Sequence, residues 1–174
     1  MRVIAGEFRS RRIKSVPGIE VRPTPDRLRE ALFNVLAPRI GGAVFLDCYA
    51  GSGSVGIEAL SRGAKRVIFI EKNGRALEAL RVNLKSLGIE ERAVVSRVLR
   101  KEDAADIAFI DPPYHLDGEY LSTLEALSAA RCGFVVAQHA TRFALEERYG
   151  LLTKTRVLRQ GDNCLSFFEV LAGE

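Results

Sequence analysis

Three acidic residues each close a short apolar run: Asp47 after Ala43–Leu46, Glu71 after Arg66–Ile70, and Asp111 after Ile107–Ile110. If those runs are strands of one sheet, the three carboxylates share an edge. Ligands of open α/β sheets bind beyond that edge, near the point where the strand order reverses. Between the first two acids lies Gly51-Ser52-Gly53-Ser54-Val55-Gly56, a G-x-G-x-x-G on a strand-to-helix turn. Such glycines let the backbone bend sharply and approach a nucleotide closely. Glu71 then suits the hydroxyls of a ribose. The loop fits a dinucleotide cofactor or S-adenosylmethionine equally well. Asp47, four residues before the first glycine, separates the two: it would oppose a pyrophosphate at the helix N-terminus. It would favour the cationic sulfonium and amine of S-adenosylmethionine. Asp47 can also cap the loop backbone, a role compatible with either cofactor.

The fourth apolar run leads into Asp111-Pro112-Pro113-Tyr114. Two prolines stiffen the backbone and remove two N–H donors, which leaves neighbouring carbonyls free to accept. A carboxylate and a fixed carbonyl can hold both hydrogens of an exocyclic amine and turn its lone pair toward a methyl donor. Tyr114 offers a face on which a base can stack. Enzymes that modify a base need it out of its stack, in a pocket of this kind. A rigid turn after a strand is the plainer alternative for the same four residues.

The elements that must position these groups alternate. Strands are expected near 43–47, 66–70, 93–95, 107–110 and 133–137. Helices are expected from the glycine loop to about Arg62, from Asn73 to Gly88, and around 119–130. Segments 153–158 and 165–171 flank Gln160-Gly161-Asp162-Asn163 and read as an antiparallel hairpin. This is an α/β domain with a mostly parallel sheet covered on both faces. Upstream, residues 2–8 and 11–14 read as two short strands. Thr24 is then an expected N-cap, Pro25 the first helical residue, and Pro38 the end of a helix carrying Leu28, Leu32 and Leu36.

The chain has 174 residues, enough for one domain with an added arm and too few for a separate recognition domain. Its net charge of +4 is unevenly spread. Residues 1–39 hold nine Lys/Arg against four acids, and residues 40–174 hold 17 against 18. A basic 1–39 arm on a near-neutral 40–174 body suggests a polyanionic partner, although a solvated charged surface reads the same way. Cys48, Cys132 and Cys164 are odd in number and sit in apolar runs, as expected of buried thiols in a reducing, cytoplasmic setting. Neither a signal-peptide layout nor a membrane-length apolar run is present, and no metal site is expected. His115 and His139 have no partners at ligand spacing and read as loop or packing residues.

Leu46-Asp47-Cys48-Tyr49-Ala50-Gly51-Ser52-Gly53 and Asp111-Pro112-Pro113-Tyr114 resemble motifs I and IV of class I S-adenosylmethionine-dependent methyltransferases acting on exocyclic amines. Arg22-Pro23-Thr24-Pro25-Asp26-Arg27-Leu28-Arg29-Glu30-Ala31-Leu32-Phe33-Asn34 looks like the signature of the RsmD family, which modifies guanine N2 in bacterial 16S ribosomal RNA. The resemblance implies a Rossmann-like, seven-stranded sheet with an antiparallel C-terminal hairpin and an N-terminal β-hairpin. It implies a cytoplasmic, monomeric enzyme acting on 16S rRNA within an assembled or partly assembled 30S subunit. Asp47, Gly51 and Gly53 would line the cofactor, Glu71 would bind its ribose, and Ser96 would stand at the adenine. Asp111 and Pro112 would hold the guanine amine with Tyr114 against the base. Arg9, Arg11, Arg12, Lys14 and Arg22 would engage RNA. Two departures stand out: Ser10 occupies a turn where the family has glycine, and the 96–106 segment is short. The rival readings are an adenine-N6 methyltransferase on DNA or RNA, an NAD-dependent oxidoreductase, and a non-catalytic RNA-binding assembly factor.

Overall fold

The structure is a computed structural model that describes residues 1–16, 24–100, 103–113, 116, 118–130 and 132–171. Arg22, Tyr114 and His115 lie outside the described residues. Helix α1 (Asp26–Ile40) precedes β1 (Val44–Asp47), α2 (Ser54–Ser61), β2 (Arg66–Ile70), α3 (Gly74–Leu87), β3 (Ala93–Ser96) and β4 (Ile107–Ile110). After these come α4 (Gly118–Ala129), β5 (Phe134–Ala140), β6 (Arg148–Tyr149), β7 (Leu152–Gln160) and β8 (Asn163–Val170).

All eight strands form one sheet, in the order β3-β2-β1-β4-β5-β8-β7-β6. The first five are parallel, and β8, β7 and β6 are antiparallel. The expected mostly parallel α/β sheet with a C-terminal hairpin is therefore present. The eighth strand is the two-residue β6, too short to leave a period in the sequence. β4 is buried along its whole length, which explains its unbroken apolar run. The order reverses between β1 and β4, so Asp47 and Asp111 end adjacent strands at the switch point.

One face of the sheet packs against α1, α2 and α3, and the other against α4. In α3, Asn73 Oδ1 accepts the Arg75 and Ala76 N–H groups at 2.9 and 3.1 Å, and Gly88 closes the helix at φ 67°. Two expectations for α1 are corrected. Thr24 does not cap it: the cap position is Pro25, without a side-chain bond. Pro38 does not end it, because a proline so near the C-terminus removes only one ladder bond while its fixed φ suits a helix. The three cysteines are buried and free.

The N-terminal segment folds back on itself as the expected short hairpin: the Val3 N–H donates to the Arg11 carbonyl at 3.0 Å, the Ser10 N–H to the Val3 carbonyl at 2.9 Å and the Ile13 N–H to the Met1 carbonyl at 2.9 Å. Among the described residues its strand pairing is the antiparallel bridge between Arg2 and Arg12. The hairpin is also anchored to the body. Every residue of α2 is buried, because residues 1–13 cover the side turned away from the sheet. Glu58, 0% exposed, accepts the Ile4 and Ala5 N–H groups at 2.8 and 3.0 Å, and Ser61 Oγ accepts the Phe8 N–H at 2.9 Å. Arg29, also fully buried, donates to the Arg2 carbonyl at 2.6 Å and to Asp26 at 3.1 Å. Val3, Phe8 and Ile13 join the main core, while Arg9, Arg11, Arg12 and Lys14 stay exposed.

Ser10 has φ 67°, the one positive φ outside glycine among the described residues. A β-carbon in that region costs on the order of 1 kcal/mol. Ser10→Gly should leave the fold unchanged and raise stability by up to about 1 kcal/mol, less the added freedom of the unfolded glycine. Urea unfolding midpoints of the two proteins check this.

Candidate active site

The carboxyl ends of β1 and β4, the glycine loop and the N-terminal segment enclose a cavity of about 280 Å³. Its walls include Asp47, Tyr49, Gly51, Thr24, Phe109 and Asp111. Of the residues expected at the cofactor, Asp47 and Gly51 reach the wall directly, and Asp111 joins them from β4. Gly53 shapes the loop from behind. Its φ is 86°, and a side chain there would run into Leu80. The last glycine of the motif, Gly56, lets α2 lie against Phe69 of β2, whose ring a β-carbon would strike.

Asp47 is 1% exposed and accepts the Gly56 N–H at 3.0 Å. The capping role is therefore real, and it coexists with a place in the cavity wall. Burial pushes the Asp47 carboxyl up to about 7, against the pull of the Gly56 N–H, and neighbouring Glu71 pushes the same way. Burial beside Asp47 likewise raises Asp111 well above the usual carboxylate range, although its side chain opens partly into the cleft. A hydrogen bond with Thr24 opposes that rise. Glu71 does not line the cavity; its two oxygens accept the Gly51 and Asn73 N–H groups, both at 2.7 Å. Those bonds fix the loop, and a carboxylate has lone pairs left for a ribose. Ser96 is turned onto its own bend, donating to the Val98 carbonyl at 2.9 Å, and is not in the wall. Pro112 is buried directly after Asp111. His139 packs as expected: its ring meets Ser166 Oγ at 2.8 Å and the Ala140 carbonyl at 3.0 Å.

Several contributors escaped sequence reasoning. Thr24 is one: the residue expected to cap α1 shares the cavity wall with Asp111 and favours the ionised form of that carboxyl. Tyr49 is another; its hydroxyl, with a pKa raised by burial, reaches Glu119 at 2.8 Å and Thr123 at 2.7 Å. Asn83 donates to the carbonyls of Lys14 and Ser52 at 3.0 and 2.9 Å and accepts the Lys14 N–H at 2.8 Å. It thereby clips the N-terminal segment to the glycine loop, which brings Ser15 and Val16 to the cavity wall. Helical period marks Asn83 only as a polar residue on a helix.

The family described as "Conserved hypothetical protein 95" matches residues 1–169. The chain belongs to this family, the RsmD family of rRNA methyltransferases. The Bacillus subtilis protein named "Putative rRNA methyltransferase YlbH" is 38% identical over 90% of this chain and 91% of its own length. "Ribosomal RNA small subunit methyltransferase D" of Escherichia coli K12 is 41% identical over 66% of this chain and 60% of its own. Among solved structures, a methyltransferase from Escherichia coli titled yhhF superposes with a TM-score of 0.83, at 30% identity, covering 99% of both chains. RsmC of Thermus thermophilus, titled a 16S rRNA N2 G1207 methyltransferase with AdoMet and guanosine, shares the fold. Its TM-score is 0.71 at 23% identity over 88% of this chain and 44% of its own.

For this RsmD-family site, the Thr24 bond stabilises the ionised form of Asp111. Thr24→Val should therefore raise the Asp111 pKa further and lower turnover severalfold at neutral pH. The acid limb of the pH–rate profile should move to higher pH, while the alkaline limb stays in place.

Proposed function

We propose that the protein transfers a methyl group from S-adenosylmethionine to the exocyclic N2 of a guanine in 16S ribosomal RNA. The observation that carries this reading is the placement of Asp111 in the wall of the cleft that Asp47 and the glycine loop also line. At its coarser level, the reading is an rRNA methyltransferase using S-adenosylmethionine, in keeping with the names of its RsmD-family relatives.

The cofactor supplies an electrophilic methyl on a cationic sulfonium. The residues of the cleft fit it: Asp47 and Asp111 bring negative charge, and none of the ion pairs among the described residues involves either. The open backbone at Gly51 admits the nucleoside, and Glu71 stands behind it for the ribose. Asp111 then accepts one hydrogen of the guanine amine, and a carbonyl next to Pro112 accepts the other. A guanine amine is a poor nucleophile, because its lone pair is delocalised into the ring. Orientation and near-attack geometry therefore supply most of the acceleration. The bond to Asp111 strengthens as positive charge develops on nitrogen. Arg9, Arg11, Arg12 and Lys14, exposed on the N-terminal segment, face solvent where phosphates can be gripped, and Arg22 and Tyr114 complete the proposed RNA and base contacts.

The test is methylation by the purified protein with methyl-labelled S-adenosylmethionine, on naked 16S rRNA and on small subunits, followed by nucleoside analysis. The expected product is N2-methylguanosine. Asp111→Ala should lower turnover by about a hundredfold or more while cofactor affinity changes little. N6-methyladenosine as the product, or near-normal turnover by Asp111→Ala, would refute the assignment.

A further inference from the structure

Asp111 has a neighbour that the methyl-transfer scheme leaves unused. In the parallel pairing of β4 with β5, Ile110 stands opposite Ala137, so Asp111 and Gln138 are the next residues in register. Phe109 and Val136 belong to the core on the α1 face, whereas Ile110 and Ala137 belong to the opposite one. Side chains alternate along a strand, which returns Asp111 and Gln138 together to the α1 face. Gln138 is 2% exposed, and its Oε1 has no hydrogen-bond partner among the described residues. Its backbone carbonyl is meanwhile held by the Tyr120 hydroxyl at 2.6 Å, which fixes the strand end. A fixed, buried acceptor left unpaired costs stability, and such groups persist where a ligand completes them. Gln138 does not line the cofactor cleft. It stands one strand beyond Asp111, on the side away from β1.

We infer that Gln138 is a specificity-determining residue that reads the purine edge beside the amine held by Asp111. This rests on the guanine-N2 reading. The ring nitrogen next to the guanine amine carries a hydrogen, N1–H, which the free Oε1 can accept. The corresponding nitrogen of adenine or 2-aminopurine carries none. A flipped base is read through its Watson–Crick edge, and a site built around one hydrogen bond discriminates against analogues that lack it. Gln138 takes no part in bond making; it selects the base and sets its angle.

The experiment first maps the methylated nucleotide and identifies the product, so failure of the guanine reading is seen before any Gln138 variant is assayed. RNA is then prepared with guanine or 2-aminopurine at the mapped position; 2-aminopurine keeps the amine but lacks N1–H. Wild type, Gln138→Leu and Gln138→Glu are compared for kcat/KM on both RNAs and for melting temperature. Gln138→Leu should lose tenfold or more on guanine, and its preference for guanine over 2-aminopurine should fall at least fivefold. Its melting temperature should hold or rise, since an unpaired amide is removed. Gln138→Glu retains an acceptor and should keep both turnover and preference. An unchanged preference in a folded Gln138→Leu protein would overturn the inference. So would loss of preference in Gln138→Glu, the result that decides the matter if the leucine variant fails to fold.

Discussion

Asp47, buried, and Asp111, partly open to the cleft, are brought together at the ends of two adjacent parallel strands. No ion pair among the described residues neutralises either one. Burial raises both pKa values; Glu71 adds to the rise at Asp47, and Asp47 adds to the rise at Asp111. A fold accepts such an arrangement where function needs it. Here the missing positive charge is what the sulfonium of S-adenosylmethionine provides. Asp47 and Asp111 lie 64 positions apart because the chain must build β2 and β3 and then cross back before β4 can stand beside β1. The switch point and the paired acids are therefore one feature.

The second constraint is the way the N-terminal segment is held. Glu58, Ser61 and Arg92 bind it through backbone atoms or Glu7, and Asn83 ties its end to the glycine loop. The basic residues stand on a segment whose apolar residues belong to the core of the methyltransferase body. Under the proposed function, an RNA grip by these residues would be indexed to the cofactor loop, with no hinged arm needed.

The parallel sheet was legible because strands covered on both faces carry unbroken apolar runs, and because acids and glycines punctuate their ends. The hairpin at Gly161-Asp162 was legible from its turn residues. The place of Asp111 at the cavity wall was legible for the same reason: a carboxylate followed by two prolines marks a rigid strand end in the residue types. What stayed hidden depends on long-range partners. Thr24 before a proline reads as a helix cap until Asp111 is placed beside it. The strand-like pattern of residues 2–14 is that of a short hairpin, while the bonds of its Ile4, Ala5 and Phe8 N–H groups to helix α2 depend on partners that no local pattern contains. Pairing of Gln138 with Asp111 requires the register of β4 against β5, which no local pattern contains. Ser96 illustrates the reverse error: its position in the chain suits an adenine contact, while its hydroxyl is engaged in its own bend.

The central claim is that the unneutralised carboxylates exist to meet a cationic cofactor. Calorimetric titration with S-adenosylmethionine near pH 7, in buffers of different ionisation enthalpy, counts the protons exchanged on binding. Asp47 titrates at about 7 in the free protein and must ionise when the cation arrives. Wild type should therefore release roughly half a proton more than Asp47→Asn, whose amide can still accept the Gly56 N–H. Equal proton counts in the two proteins would contradict the account.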